Sequence, residues 1–138
     1  MKAAEPLVQV KNIDHVTLVV KDLDRSRKFY AGLLGMEEVP RPNFSFEGLW
    51  FQAGFTQIHL ILEHSESGPA GNSDLRDLVK TRTHHLAFLV EDATEAAKRF
   101  KEKGIPLISG PKPRPDGAIQ VFLHDPDSHV IEVTSPPV

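Results

Sequence analysis

The chain contains no cysteine. A disulfide framework, a thiolate metal site and a cysteine nucleophile are thereby excluded together. Charge of one sign is not in excess either: the formal net charge is -3 and the basic residues are scattered, so the footprint that nucleic acid or an anionic membrane surface would need is missing. No hydrophobic run approaches the ~18 residues of a membrane-spanning helix. The start, residues 1–7, lacks the charged-then-apolar pattern of a secretory signal. These absences predict a cytoplasmic protein that engages neither nucleic acid nor membrane. At 138 residues, 40% hydrophobic and 25% charged, the chain suits one soluble domain, able to bury roughly two-thirds of its unfolded surface.

The pattern along that domain is written twice. Ile13 to Val20 is an apolar, β-branched run that reads as a buried strand. Asp22 or Asp24 is placed to cap a following helix, in which Leu23, Arg27, Tyr30, Leu33 and Leu34 recur at helical spacing, and Gly35 is placed to end it. Strands are predicted over residues 37–41, 48–53 and 57–63, the last two joined by a hairpin loop at Gly54-Phe55-Thr56. A polar, breaker-rich stretch, residues 64–81, reads as a linker. The order then restarts with a strand over 85–90. Asp92 and Glu95 follow at capping-box spacing, before a helical stripe of Ala93, Ala96, Ala97 and Phe100 that Gly104 stops. Strands at 107–109, 118–123 and 130–134 complete it. A shift of 70 lays His15 on His85, and a shift of 73 lays His59 on Glu132. The fold class expected is α+β: two tandem βαβββ modules, about residues 10–63 and 82–135, forming a cupped mixed sheet with helices on the outer face.

The duplication turns scattered residues into a constellation. His15 and His85 open the first strand of each half, and His59 and Glu132 lie in the last strand of each half. Strand alternation sets His15 on a face with Thr17 and Val19, away from Val16, Leu18 and Val20, and His85 on a face with Ala87 and Leu89. A pseudo-twofold relation would then gather all four. A lone histidine at a strand start is more often surface or hydrogen-bonded core than ligand. A carboxylate flanked by Ile131 and Val133 is more telling, because it is rarely buried without a partner. Three imidazoles and a carboxylate suit a divalent transition metal such as Zn, Ni, Fe, Co or Mn, and a subset of them matches the open non-haem iron triad. Elsewhere, His84 is expected to point to the opposite face. His124 and His129 flank a hairpin turn, expected to be solvated, and His64 opens the linker. Phe44, Phe46, Trp50 and Phe122 fit either a pocket wall or ordinary core. Arg114, in the proline-stiffened loop 111–117, is either a surface residue or a cation closing over an anionic substrate.

Taken together, Ile13-Asp14-His15-Val16, Arg27-Lys28-Phe29-Tyr30, Leu33-Leu34-Gly35-Met36, His85-Leu86-Ala87-Phe88 and Asp125-Pro126-Asp127-Ser128-His129 before Ile131-Glu132-Val133 resemble the vicinal oxygen chelate superfamily. That superfamily includes glyoxalase I, extradiol dioxygenases, methylmalonyl-CoA epimerase, fosfomycin resistance enzymes and bleomycin-binding proteins. Gly48-Leu49-Trp50-Phe51 through Gln57-Ile58-His59-Leu60-Ile61 is similar to a glyoxalase-like subgroup within it. The resemblance implies metal ligands at His15, His59, His85 and Glu132, with Glu132 as the proton-moving base and His59 as a ligand or an acid/base group. It implies a homodimer whose sites take ligands from both chains. For the reaction it implies a lyase or isomerase in which a metal chelates neighbouring oxygens of a small substrate and stabilises an enediolate-like anion. Two alternatives stand beside this reading. One is an iron-dependent extradiol dioxygenase using His15, His85 and Glu132, and the other is a metal-free protein that binds a drug or other small molecule. Glyoxalase I usually carries a carboxylate or glutamine where this chain has His59.

Overall fold

The computed structural model describes residues 5–71 and 80–137; residues 1–4 of the start and 72–79 of the linker lie outside the described residues. The first module runs β1 (His15–Val20), α1 (Leu23–Arg27), β2 (Glu37–Val39), β3 (Gly48–Ala53) and β4 (Thr56–Leu62). Asp22 caps α1 by accepting from Arg25 N, as its sequence position predicted. The helix then continues over Lys28–Leu33 with a wider, π-type winding that the sequence did not announce. Gly35, at φ 74°, supplies the left-handed turn that ends it. The second module repeats the order as β5 (Leu86–Leu89), α2 (Ala93–Glu102, capped by Asp92), β6 (Ser109–Pro113), β7 (Ile119–His124) and β8 (Val130–Ser135).

Each module builds its own four-stranded mixed sheet, in the orders β1-β4-β3-β2 and β5-β8-β7-β6. β1 lies parallel to β4 and β5 parallel to β8, and the remaining pairs are antiparallel. β1 and β5 are thus equivalent edge strands. Several sequence-predicted strands have other bounds: β1 starts at His15 rather than Ile13, and β5 spans Leu86–Leu89 rather than 85–90, so His85 lies just before its strand instead of opening it. β2 ends at Val39, not Arg41, because Pro40 has no N–H to give a ladder. β6 occupies Ser109–Pro113 instead of 107–109, so the first three residues of the expected proline loop, 111–113, are strand. It is an edge strand whose register with β7 shifts between Ser109 and Lys112, the setting in which proline is tolerated.

The helix-facing residues of both sheets share one hydrophobic cluster: Val20, Phe51, Leu60, Val121, Leu123 and Ile131 are all fully buried, and the π-type continuation of α1 adds Tyr30 while α2 adds Ala97 and Phe100. The alternation read from sequence therefore holds, with Val16, Leu18, Leu86 and Phe88 packed on this core. No helix among the described residues is long and apolar enough to cross a membrane.

A polar clamp joins the modules inside this core. Tyr30, fully buried, donates its hydroxyl to Asp125 Oδ2 at 2.6 Å. Asp125 Oδ1 accepts the backbone N–H groups of Asp127 and His129 and so holds its own turn together. That turn docks on the first module: Asp127 Oδ1 accepts from Lys21 N, and His129 Nε2 donates to the Val19 carbonyl. The hairpin expected to be solvated is therefore an inter-module contact. Burial drives the Tyr30 hydroxyl well above its ordinary pKa, and burial likewise raises Asp125, opposed by His129 and by the Tyr30 hydrogen bond.

Tyr30→Phe leaves Asp125 Oδ2 buried without a donor, at an expected cost of about 1–3 kcal/mol in urea unfolding at pH 7. The raised folded pKa of Asp125 means that its ionisation opposes folding. This contribution is most favourable below the unfolded value of ~3.9 and is lost as pH rises through the folded value. The variant has also lost the hydrogen bond that holds this pKa down, so its deficit should shrink as pH falls from 7 towards 4. An equal deficit at both pH values would contradict the clamp.

Candidate functional site

On the sheet faces turned away from the core, the structure gathers the proposed ligands into two pairs. In the first module His59 pairs in register with Thr17 of β1 and Trp50 of β3. His15 lies on the same face, its ring 4.1 Å from that of His59, and Trp50 stacks on the other side of His59 at 3.9 Å and 2°. In the second module Glu132 pairs with Ala87 of β5 and Phe122 of β7, and His85 Nε2 lies 3.1 Å from Glu132 Oε1. The register makes the pairs equivalent: Trp50 stands to His59 as Phe122 stands to Glu132.

Hydrogen bonds fix the orientation of these groups. His15 Nδ1 donates to Asp14 Oδ2 at 2.8 Å, which leaves Nε2 with the lone pair. His85 Nδ1 donates to the Thr83 carbonyl at 2.8 Å, with the same consequence. Glu132, 4% exposed, takes a second contact from Gln120 Nε2 on its Oε2. The His85 and Glu132 atoms that face each other are then both acceptors while the imidazole is neutral, and only a proton or a cation between them resolves the clash. An ion pair with a protonated His85 satisfies the contact, and so would a bound cation. His59 differs. Its Nε2 donates to Gln57 Oε1, and Gln57 in turn donates to Gln52, so only Nδ1 keeps a lone pair. Burial, then the neighbouring His15, depress the His59 pKa and hold the ring neutral.

The four groups do not converge within one chain. Among the described residues no group of three or more His, Asp or Glu is arranged to hold a metal ion. The expectation that an internal pseudo-twofold gathers all four is corrected. The repeat makes the pairs equivalent, but β1 and β5 belong to separate sheets and do not pair with each other. A cleft of about 1200 Å³ opens on the helix-side faces between the modules, among Val16, Leu34, Met36, Ile58, Leu86 and Phe88. Of the four candidate ligands it touches only His85.

The remaining candidates divide. Phe44, Phe46 and Trp50 form a chain of aromatic contacts beside His59, at 5.1 and 6.1 Å between centroids, and His64, given no role from sequence, stacks on Phe46 at 5.6 Å. Phe122 is 3% exposed and meets His85 edge-on. His84 is exposed, and His124 is half-buried. Arg114 grips Asp116 through Nε and Nη2 at 2.8 and 2.6 Å on an exposed turn, which holds the Asp116 carboxyl down at about 2. Its charge is therefore already committed.

Sequence reasoning missed Arg41. Its Nη2 donates to the Phe46 carbonyl at 2.8 Å, and its guanidinium carbon lies 4.8 and 5.0 Å from the Phe44 and Phe46 ring centroids. A signal was present. Pro40-Arg41-Pro42 matches Pro113-Arg114-Pro115 at the same 73-residue shift that relates His59 to Glu132.

Comparison with known proteins agrees with the architecture. Residues 12–133 match the family model described as Glyoxalase/Bleomycin resistance protein/Dioxygenase superfamily. "Glyoxylase I 4" of Arabidopsis thaliana is 29% identical over 136 residues, covering 95% of this chain and 74% of the relative. "Methylmalonyl-CoA epimerase, mitochondrial" of Bos taurus is 28% identical over 128 residues, covering 90% of this chain and 73% of the relative. The crystal structure of a glyoxalase/dioxygenase from Nostoc punctiforme superposes with a TM-score of 0.75 at 25% identity, covering 100% of this chain and 99% of that one.

Proposed function

Because the chain belongs to the glyoxalase/bleomycin resistance protein/dioxygenase superfamily, we propose that it is a divalent-metal-dependent enzyme of lyase or isomerase type, moving a proton on a small substrate with neighbouring oxygens. The observation that carries this reading is the His85–Glu132 pair: an imidazole nitrogen and a buried carboxylate 3.1 Å apart, oriented by Thr83 and Gln120, to which a cation could bind in place of the shared proton. Each half-site offers two donors, fewer than the three or four protein ligands of a transition-metal centre. A second copy of the chain, related by a twofold axis, supplies the other pair, with His15 and His59 of one copy facing His85 and Glu132 of the other. Unpartnered apolar surface supports that partner. Leu89 on edge strand β5 is 74% exposed, and Ile13, just before edge strand β1, is 64% exposed.

When bound, the metal would supply Lewis acidity towards two adjacent substrate oxygens and lower the cost of an enediolate-like anion. The chain's own part is the proton. Glu132 is the base, buried on an apolar strand with Oε2 held by Gln120 and Oε1 facing His85, and His59, kept neutral, completes the ligand set or relays the proton. The names of the two relatives, a glyoxylase and an epimerase, are in keeping with this class. Its test is elemental analysis after loading with Zn, Ni, Fe or Co and desalting. About one metal per chain is expected in the wild type, and a large loss in Glu132→Ala. No retained metal in the wild type would refute it.

A second reading rests on the Gln57 contact. With His59 Nε2 given to Gln57, the donors left with free Nε2 or carboxylate oxygens are His15, His85 and Glu132, the make-up of an open iron triad. Selective retention of iron, with oxygen consumption on a catechol, would favour this ring-cleaving chemistry over the proton shift.

A further inference from the structure

The two copies of the Pro-Arg-Pro tripeptide meet different fates, and one residue explains why. Two positions before Trp50 on the site face of β3 stands Gly48; two positions before Phe122, at the equivalent place on β7, stands Gln120. Gln120 fills its place and reaches Glu132. Gly48 has no side chain, and the Arg41 guanidinium lies against it: a Cβ on Gly48 would collide first with the Leu60 carbonyl oxygen and would also sit 3.1 Å from both Nε and Nη2 of Arg41. Arg114, with no such berth, turns to Asp116.

Arg41 is therefore a cation fixed in place on the face that carries His59, near enough to help depress the His59 pKa. Two aromatic rings and a glycine backbone hold it. Of its five N–H groups one is used, and Nε is buried without an acceptor. Among the described residues it forms no ion pair. A half-buried guanidinium, preorganised and lacking a counter-charge, is the arrangement that recognises carboxylate or phosphate. The groups it touches are the Phe44 and Phe46 rings, the Phe46 carbonyl and Gly48, none of them anionic.

We propose that Arg41 is a specificity-determining residue that binds an anionic oxygen group, carboxylate or phosphate, of the substrate. The proposal rests on the reading of the His15/His59 face as part of the active site. It narrows the substrate to a small oxyacid whose acid group reaches Arg41 while its neighbouring oxygens lie at the histidine pair. Gly48 gives the guanidinium room to lie on the strand, although a side chain there would meet the Leu60 carbonyl before it met Arg41.

The test uses the metal-free full chain and the fluorescence of Trp50, the one tryptophan, which lies in the aromatic chain beside Arg41. Oxalate and inorganic phosphate are titrated, with neutral oxamide as the uncharged counterpart of oxalate. Saturable binding of an anion but not of oxamide is expected, and which of the two binds tighter distinguishes a carboxylate from a phosphate site. Arg41→Met keeps the apolar stem against the rings and should weaken anion binding about tenfold or more. Arg41→Lys, which keeps the charge but not the fork, should fall between, and Lys98→Met on the exposed face of α2 should match the wild type. An unchanged anion affinity in Arg41→Met, equal binding of oxamide, or no saturable binding by the wild type would overturn the proposal. Since no metal is present, these outcomes are independent of whether the chain retains metal.

Discussion

Mixing a His15→Ala/His59→Ala variant with a His85→Ala/Glu132→Ala variant restores metal binding that neither has alone. Each variant keeps one pair intact and destroys the other. In a twofold dimer that joins the first pair of one copy to the second pair of the other, each homodimer has two ruined sites. The heterodimer has one site with all four ligands and one with none. Random reassortment makes about half the dimers mixed, so the mixture should recover about a quarter of the wild-type metal per chain. Co-expression or joint refolding followed by elemental analysis reads this directly. The expectation follows from the placement of the pairs on two separate sheets, which bring no group of three such donors together among the described residues. If the four ligands instead met within one chain, mixing would recover nothing.

Glu132→Gln is expected to separate holding the site from moving the proton. The amide preserves the shape of the side chain in a strand where both neighbours, Ile131 and Val133, are buried, and its carbonyl oxygen can still accept from Gln120. It cannot accept a proton at the working pH. Loss of a positioned general base costs about 10²–10⁴ in turnover. Solvent deuterium exchange into the methylglyoxal–glutathione hemithioacetal and into hydroxypyruvate, followed by proton NMR, supplies the readout. Exchange should fall by that factor while unfolding stability changes little. A variant that exchanges as fast as the wild type would take the base role away from Glu132.

Much of this architecture was legible because each module announces itself twice over. A strand of period two, an aspartate cap and a glycine stop recur as His15–Val20, Asp22 and Gly35, then as Leu86–Leu89, Asp92 and Gly104. The face carried by each ligand was also readable, since alternation fixes it once Val20 and Phe51 are assigned to the core. The misplacement of β6 has a local cause: Gly110, Pro111 and Pro113 are breakers in isolation, and only an edge position lets them pair. The wider winding of Lys28–Leu33 leaves no mark in a pattern that suits an ordinary helix equally well.

The separation of the ligand pairs was not readable for a deeper reason. Sequence repetition establishes that two half-sites are equivalent, but which copies of them come face to face is decided by how sheets dock. Arg41 was hidden differently. Its berth is defined by what Gly48 lacks, and a missing side chain acquires meaning only when the residue lying over it is seen. Arg114 drew attention from its loop, yet Asp116, two residues on, already holds it.

The most direct measurement is the crystal structure of nickel-loaded protein, with diffraction collected at the nickel absorption edge. The account predicts one anomalous peak per chain, bounded by His15 and His59 from one copy and by His85 and Glu132 from the other. A peak held by the ligands of a single chain, or no peak at any of the four residues, would contradict it.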